Sequence, residues 1–241
     1  MTVRVRRVTT TRAGGVSKPP FDTFNLGDHV GDDPKAVAAN RRRLGTATGL
    51  GDHLVWMNQV HSDRVVTVTE PGDGPIDAAD GLVTTTPGLG LVVVTADCVP
   101  VLLADARAGV IGAVHAGRVG AANGIVVRAV EAMRAAGAHT DDISVLLGPA
   151  VSGRNYEVPE PMAVEVEAAL PGSRTTTARG TAGLDLRAGI ARQLAALGVT
   201  AVDVDPRCTV ADRNLFSHRR AQREGARTGR LASLVWMETT P

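Results

Sequence analysis

Apolar positions along this chain fall into three kinds of run, and each predicts a different element. Residues 3–9 alternate Val with Arg or Thr, the period-two pattern of a half-exposed strand. The runs at 91–94 and 110–114 are apolar throughout, which predicts strands covered on both faces and hence a layered arrangement. Around them the stretch 77–117 reads as three or four strands, broken at Pro87-Gly88, at 97–100 and at 107–109. The third kind has helical spacing. Val37, Arg41 and Leu44 follow an Asp33 cap and Pro34. Ile125, Ala129, Val130 and Met133 share a face after Gly124, and Leu186, Ile190, Leu194 and Leu197 form a stripe between an Asp185 cap and Gly198. A further helix is expected at 161–170, and further strands at 53–57, 65–69, 141–147, 199–204 and 231–237. Asn40 and Arg41 are expected on the surface of their helix.

Between the first strand and the first helix runs TTRAGGVSKPPFDTFNLGDHVGDDP, whose Gly, Pro, Asp and Asn content forbids regular structure. A loop this long in a compact domain calls for a function. Phe21, Phe24 and Leu26 are apolar anchors that favour an ordered loop.

Composition narrows the partners. With 241 residues, 44% hydrophobic and 21% charged, the chain can bury a full core. No repeat or linker-like segment divides it, so one domain over 1–241 is expected. A net charge of +1 lacks the basic surface that duplex nucleic acid demands, and 2% aromatics argue against single-strand stacking platforms. No apolar run approaches the roughly 18–20 residues that span a bilayer, so no membrane partner is expected. The first residues lack an apolar h-region, which makes the cytoplasm the expected compartment. There Cys98 and Cys208 would not be paired.

The chemistry gathers where the two apolar runs end. One delivers Cys98, the other His115 and a glycine-rich turn. A thiolate and an imidazole so placed fit a nucleophile with its base or two ligands of a metal. His61 upstream is the candidate third ligand, completing the N/S set of a catalytic site whose fourth position stays open. The intervals between the three match no zinc-finger spacing, so the residues alone leave both readings open.

At this point the chain is similar to a known family. TTRAGGVS (10–17), NLGDHVGDD (25–33), NQVHSD (58–63), DGLVT (80–84), TADCVPVLL (95–103), AVHAG (113–117), GPA with NYEV (148–158) and LFSHRR with TGR (215–230) resemble the polyphenol oxidoreductase or laccase-domain proteins, now regarded as zinc-dependent purine nucleoside phosphorylases. The resemblance covers nearly the whole chain. It implies an α+β fold, a four-layer α/β/β/α sandwich with mixed sheets central and helices outside. It implies one Zn2+ held by His61, Cys98 and His115, with these three as the catalytic set. It also implies small-molecule partners: phosphate with adenosine, inosine, guanosine or S-methyl-5′-thioadenosine, plus adenosine deamination as a side activity. A monomer is expected.

For phosphate, Arg12 in TRAGG is the first candidate, since flanking glycines let amides and a guanidinium approach one anion. Asn25 and Arg41 follow from their places in family-like blocks. Arg219, Arg220 and Arg230 offer a second anion patch or a solvated face. Gly117, Gly120 and Gly124 suit a phosphate-cradling turn or a strand-to-helix turn that needs small residues. Two departures stand out. The family has Trp-Arg after HAG where this chain has Arg118-Val119, and one step turns a side chain by about 100° on a helix, so Arg118 is kept outside the catalytic set. His218 stands where an aromatic is common. Three rival readings remain. The first is a copper-dependent polyphenol oxidase: 6 histidines do not furnish a multicopper centre, although Cu2+ is expected to bind a thiolate–imidazole site when supplied. The second is a metal-free hydrolase with Cys98 as nucleophile and His115 or His61 as base. The third is a non-catalytic regulatory module that binds nucleosides without turnover.

Overall fold

Two sheets lie face to face in the computed structural model, which describes residues 2–240. The larger has six strands in the order β11 (Ala201–Val204), β8 (Ile143–Leu147), β6 (Val99–Asp105), β7 (Val110–Ala116), β4 (Gly81–Thr84) and β3 (Val65–Thr67). The smaller has the order β1 (Thr2–Thr9), β12 (Leu231–Thr240), β5 (Gly90–Thr95) and β2 (Leu54–Val55). Both mix parallel and antiparallel pairs. Between them Leu82, Leu102, Ile111 and Ala113 from one sheet meet Leu91, Val93, Val235 and Met237 from the other. The strands β5, β6 and β7 are buried along their whole length, as the apolar runs that make up most of each require.

Helices close both outer faces. On the six-stranded sheet lie α3 (Ile125–Ala135), α4 (Glu160–Ala169) and α5 (Leu186–Ala196), which bury Val126, Val130, Met133, Val166, Ile190 and Leu194 against Val101, Leu103 and Val114. On the four-stranded sheet α1 (Pro34–Thr48) sets Leu44 against Val92, Val94, Leu234 and Trp236. The order is therefore α/β/β/α. A small hairpin, β9 (Arg174–Thr176) with β10 (Ala182–Leu184), stands apart, and two short helices, α2 (Arg118–Ala122) and α6 (His218–Arg223), complete the chain.

Caps follow the sequence signals. Asp33 accepts from the Lys35 amide and Asp185 from the Ala188 amide, each satisfying a donor the helix leaves free. Four differences have physical reasons. Pro100, expected in a break, is the second residue of β6; lacking only an N–H, proline is tolerated near a strand's start. The strand expected at 199–204 begins at Ala201. The stretch after His115 forms α2 before α3, with Gly124 at φ 84° reversing the backbone between them, a conformation glycine adopts freely. Asn40 is 1% exposed because α1 turns it into the long loop, where backbone groups need partners.

Strand order decides where the chemistry meets. β6 and β7 pair with Val99 opposite Ala116 and Pro100 opposite His115, so Cys98, one residue before β6, lies beside the end of β7. β4 flanks β7 on its other side with Gly81 opposite Val114, which brings Asp80 to His115. Three neighbouring strands thus present Asp80, His115 and Cys98 at one sheet end.

Candidate metal centre

His61 arrives from the loop between β2 and β3, and one donor atom each from His61, Cys98 and His115 lie within 4.8 Å of one another. Cys98 Sγ is 3.9 Å from His61 Nε2, and the two imidazole rings meet edge-on with centroids 4.7 Å apart. Metal bonds of about 2.0–2.3 Å at tetrahedral angles place donors roughly 3.5 Å apart, close to what the side chains already adopt. Burial is graded: His115 is buried, Cys98 half-buried and His61 exposed. The cup therefore opens on one side.

Asp80 holds the cup together. It is fully buried, and its Oδ1 accepts from His115 Nδ1 at 2.7 Å, which leaves Nε2 as the ligating nitrogen. The same carboxylate accepts the backbone N–H groups of Val60, His61 and Ser62 at 3.2, 3.0 and 2.7 Å, and the Ser62 hydroxyl at 2.8 Å. One side chain thus orients one ligand's ring and the other ligand's backbone, the arrangement by which a carboxylate tunes a metal-bound histidine. His61 needs that support because its φ of 62° is in the left-handed region, which costs a non-glycine residue about 1–3 kcal/mol. Asp97, just before Cys98, has φ 99° and is anchored by the Thr209 hydroxyl and the Arg219 amide. Gly117 supplies space: a Cβ there would stand 2.7 Å from His61 Cδ2 and 3.1 Å from Cys98 Sγ.

The electrostatics follow from this packing. Burial raises the Asp80 carboxyl, but hydrogen bonds from His115 and Ser62 outweigh it and bring the pKa down to about 2. Burial likewise raises the Cys98 thiol, and the imidazoles of His115 and His61 bring it down to about 6. For His115 burial acts downward, and Cys98 with Asp80 drive it up to about 9. A thiolate beside imidazoles, one of them oriented by a carboxylate, is the donor chemistry that a first-row metal ion takes. The residues fit the ion that the family resemblance implies.

The cup opens into a cavity of about 470 Å³, a size suited to a small ligand. His61 and Cys98 line it with Arg118, Tyr156, His218 and Arg219, and Val158 and Met162 add apolar wall. Arg12, Asn25 and Arg41 do not reach this lining. Arg12 donates to the Asp22 carbonyl and carboxylate and stacks on Phe216. Asn25, wholly buried, binds Gly27, Asp32 and the Arg230 amide. Arg41 donates to the Leu26 carbonyl, pairs with Asp28 and covers Trp56 at 4.1 Å. Of the expected second patch, Arg220 is buried and donates to the carbonyls of Thr209, Val210 and Asp212. Arg230 donates to those of Thr228 and Gly229, and only Arg219 lines the cavity.

Sequence reasoning passed over Asp80 and Tyr156. Asp80 had a signal: a carboxylate directly before the uncharged run GLVT is buried only if paired. Tyr156, the chain's single tyrosine, had none.

The model of a family described as multi-copper polyphenol oxidoreductase laccase matches residues 6–238. A protein of Mycobacterium tuberculosis named purine nucleoside phosphorylase is 72% identical over 239 residues, 99% of this chain and 94% of its own. A protein of the same name from Corynebacterium glutamicum is 58% identical over 236 residues, covering 97% of this chain and 94% of its own. Among solved structures, YlmD from Geobacillus stearothermophilus superposes with a TM-score of 0.90 at 33% identity, over 98% of this chain and 92% of that one. A Neisseria meningitidis protein gives 0.87 at 36% identity, over 98% and 95%.

Proposed function

Because this chain belongs to the laccase-like family, whose relatives here carry the name purine nucleoside phosphorylase, we propose that it cleaves purine nucleosides with phosphate at the His61–Cys98–His115 centre. Adenosine, inosine, guanosine and S-methyl-5′-thioadenosine are the proposed substrates. In the reaction a phosphate oxygen bonds to C1′ as the C1′–N9 bond breaks; the bond's electron pair leaves with the purine, and the proton released by phosphate completes the free base. The single observation that carries the reading is the donor triple opening into a cavity of ligand size. Zn2+ is the proposed ion, and when bound it supplies Lewis acidity and lowers the pKa of water to about 7.

The chain's own groups do the rest. Asp80 fixes the His115 tautomer and the His61 loop, so the donors are organised before any ligand arrives. Val158 and Met162 give one part of the cavity an apolar wall, which would exclude water there once a ligand is seated. Exclusion of water strengthens each polar contact that remains. Adenosine deamination, in which water adds at C6 and ammonia leaves, is the proposed side activity of the same centre.

Among the described residues one cluster of His, Cys, Asp or Glu is arranged to hold an ion. A multicopper oxidase needs several, so Cu2+ is proposed only as a substitute ion when supplied. The test incubates metal-analysed protein with adenosine, with and without phosphate, and follows adenine, ribose 1-phosphate and inosine. Adenine and ribose 1-phosphate appearing only with phosphate, and lost on chelation, is the expected result. Turnover that ignores chelators but stops on thiol alkylation would instead support the metal-free hydrolase. Phenol oxidation by zinc-loaded protein would support the oxidase.

A further inference from the structure

Two guanidinium groups line the cavity, whose wall also holds Asp97 and Glu157, and neither is in a salt bridge among the described residues. Arg118 is the first residue of α2 and Arg219 the second of α6, and both line the cavity beside His61 and Cys98. Among the described residues neither side chain pairs with a carboxylate, in contrast to Arg12 and Arg41, which hold Asp22 and Asp28. Tyr156 lies between them in the lining: Arg219 stands 5.1 Å over its ring, and Arg118 lines the same wall. Arg219 is held in place at two points. Its amide donates to Asp97 Oδ2 at 2.6 Å and its Nη1 to the Glu157 carbonyl at 2.7 Å, which leaves Nε and Nη2 for a ligand. Glu157, the nearby carboxylate of the wall, has Arg179 3.9 Å away.

Resting on the phosphorylase reading, we infer that Arg118 and Arg219 form the clamp for a tetrahedral oxyanion, the phosphate co-substrate, with Tyr156 setting the position of the guanidinium over its ring. Two like charges lining one small cavity favour an anion between them. The planar guanidinium fork suits such an oxyanion because each can donate two parallel hydrogen bonds. The Asp97 carboxylate couples this clamp to the metal cup, since it fixes the Arg219 backbone while its own residue precedes Cys98. A bound phosphate would then be presented to the open side of the centre. The assignment replaces Arg12 and Arg41, whose guanidinium groups are already committed to the long loop, and it gives Arg118 a role that its displaced position in the sequence did not suggest.

The experiment titrates inorganic phosphate calorimetrically into metal-loaded wild type, Arg118→Met and Arg219→Met, and measures steady-state KM for phosphate and for adenosine. Loss of one charged donor set is expected to raise the phosphate Kd and KM about 10- to 100-fold while metal content and the adenosine KM hold within about 2-fold. Lysine at either position keeps the charge without the fork, and an intermediate phosphate Kd there confirms the geometry even if a methionine variant folds poorly. Phosphate binding that both methionine variants retain at wild-type strength overturns the clamp, as does a wild type that binds no phosphate. Binding lost in the variants while wild type shows no phosphorolysis would uphold the clamp and sink the phosphorylase reading, so the two fail separately.

Discussion

Two polar clusters in this protein looked alike as sequence and are opposite in structure. One is the knot of the long N-terminal loop, where Asn40 accepts from the Val16 amide and donates to Ser17, Thr23 and Asn25, and where Arg12 and Arg41 close on carbonyls and carboxylates. The Asn40 amide and the Nε and Nη2 donors of both arginines are used internally. The other is the cup of His61, Cys98 and His115, where Asp80 satisfies the backbone and one ring nitrogen but leaves three soft donor atoms aimed at one another. A cluster that satisfies itself holds a loop; a cluster whose framework is satisfied while its lone pairs are not can hold an ion.

The contrast can be broken from either side. Cys98→Ala should have the largest effect: metal stoichiometry and nucleoside turnover fall to background, read by metal analysis and product assay, while the thermal midpoint of metal-free protein stays near wild type. Metal content unchanged in that variant would remove the centre altogether. Next comes Asp80→Asn, which keeps the shape but loses the charge that orients His115, and should weaken metal affinity about 10- to 100-fold in a competition titration with a chromophoric chelator. An affinity equal to wild type would mean the donors are organised without it.

On the loop side, Asn40→Ala strands the Val16 amide and costs about 2 kcal/mol, seen as a midpoint about 4–8 °C lower, with metal stoichiometry intact. Metal loss alongside that midpoint shift would show that the loop and the cup are one cooperative unit. Arg12→Met is expected to cost under about 1 kcal/mol, as surface ion pairs do, and to leave the phosphate KM within about 2-fold; a large rise would return Arg12 to the substrate. The smallest effect is acidic. The hydrogen bond from His29 comes first among the causes that lower Asp28, burial opposes it, and Arg41 adds to it, leaving a pKa of about 2 against about 3.9 unfolded. A depressed carboxylate contributes stability that is present above about pH 4 and is lost as pH falls through about 2. In Asp28→Asn the acid limb of denaturation should therefore flatten slightly in that window, and an unchanged limb would show the Asp28 pairing contributes nothing there.

Much of the layering was legible because burial on two faces leaves no polar alternation: the runs that became β5, β6 and β7 could be read as covered strands before any sheet was seen. Caps at Asp33 and Asp185 were legible for a similarly local reason, since the donor they satisfy lies two or three residues away. The direction of Asn40 was not, because whether a helix face meets solvent or a loop depends on residues 15–25 folding back over it. The ends of β6 and β11 shifted for the same reason, as strand limits depend on the neighbour that pairs with them.

The sequence by itself determined the inventory: apolar strands ending in Cys98 and His115, a third donor at His61, and blocks of residues like those of a known family. Only the tertiary structure decided the juxtapositions. Pairing of β4, β7 and β6 set Asp80, His115 and Cys98 side by side, and the fold of distant segments brought Arg118, Tyr156 and Arg219 around one cavity. The physical reason is range. Periodicity and capping act over a few residues, whereas hydrogen bonds between a carboxylate and two histidine-bearing segments, and the gathering of two guanidinium groups around one cavity, exist only once distant segments have folded together.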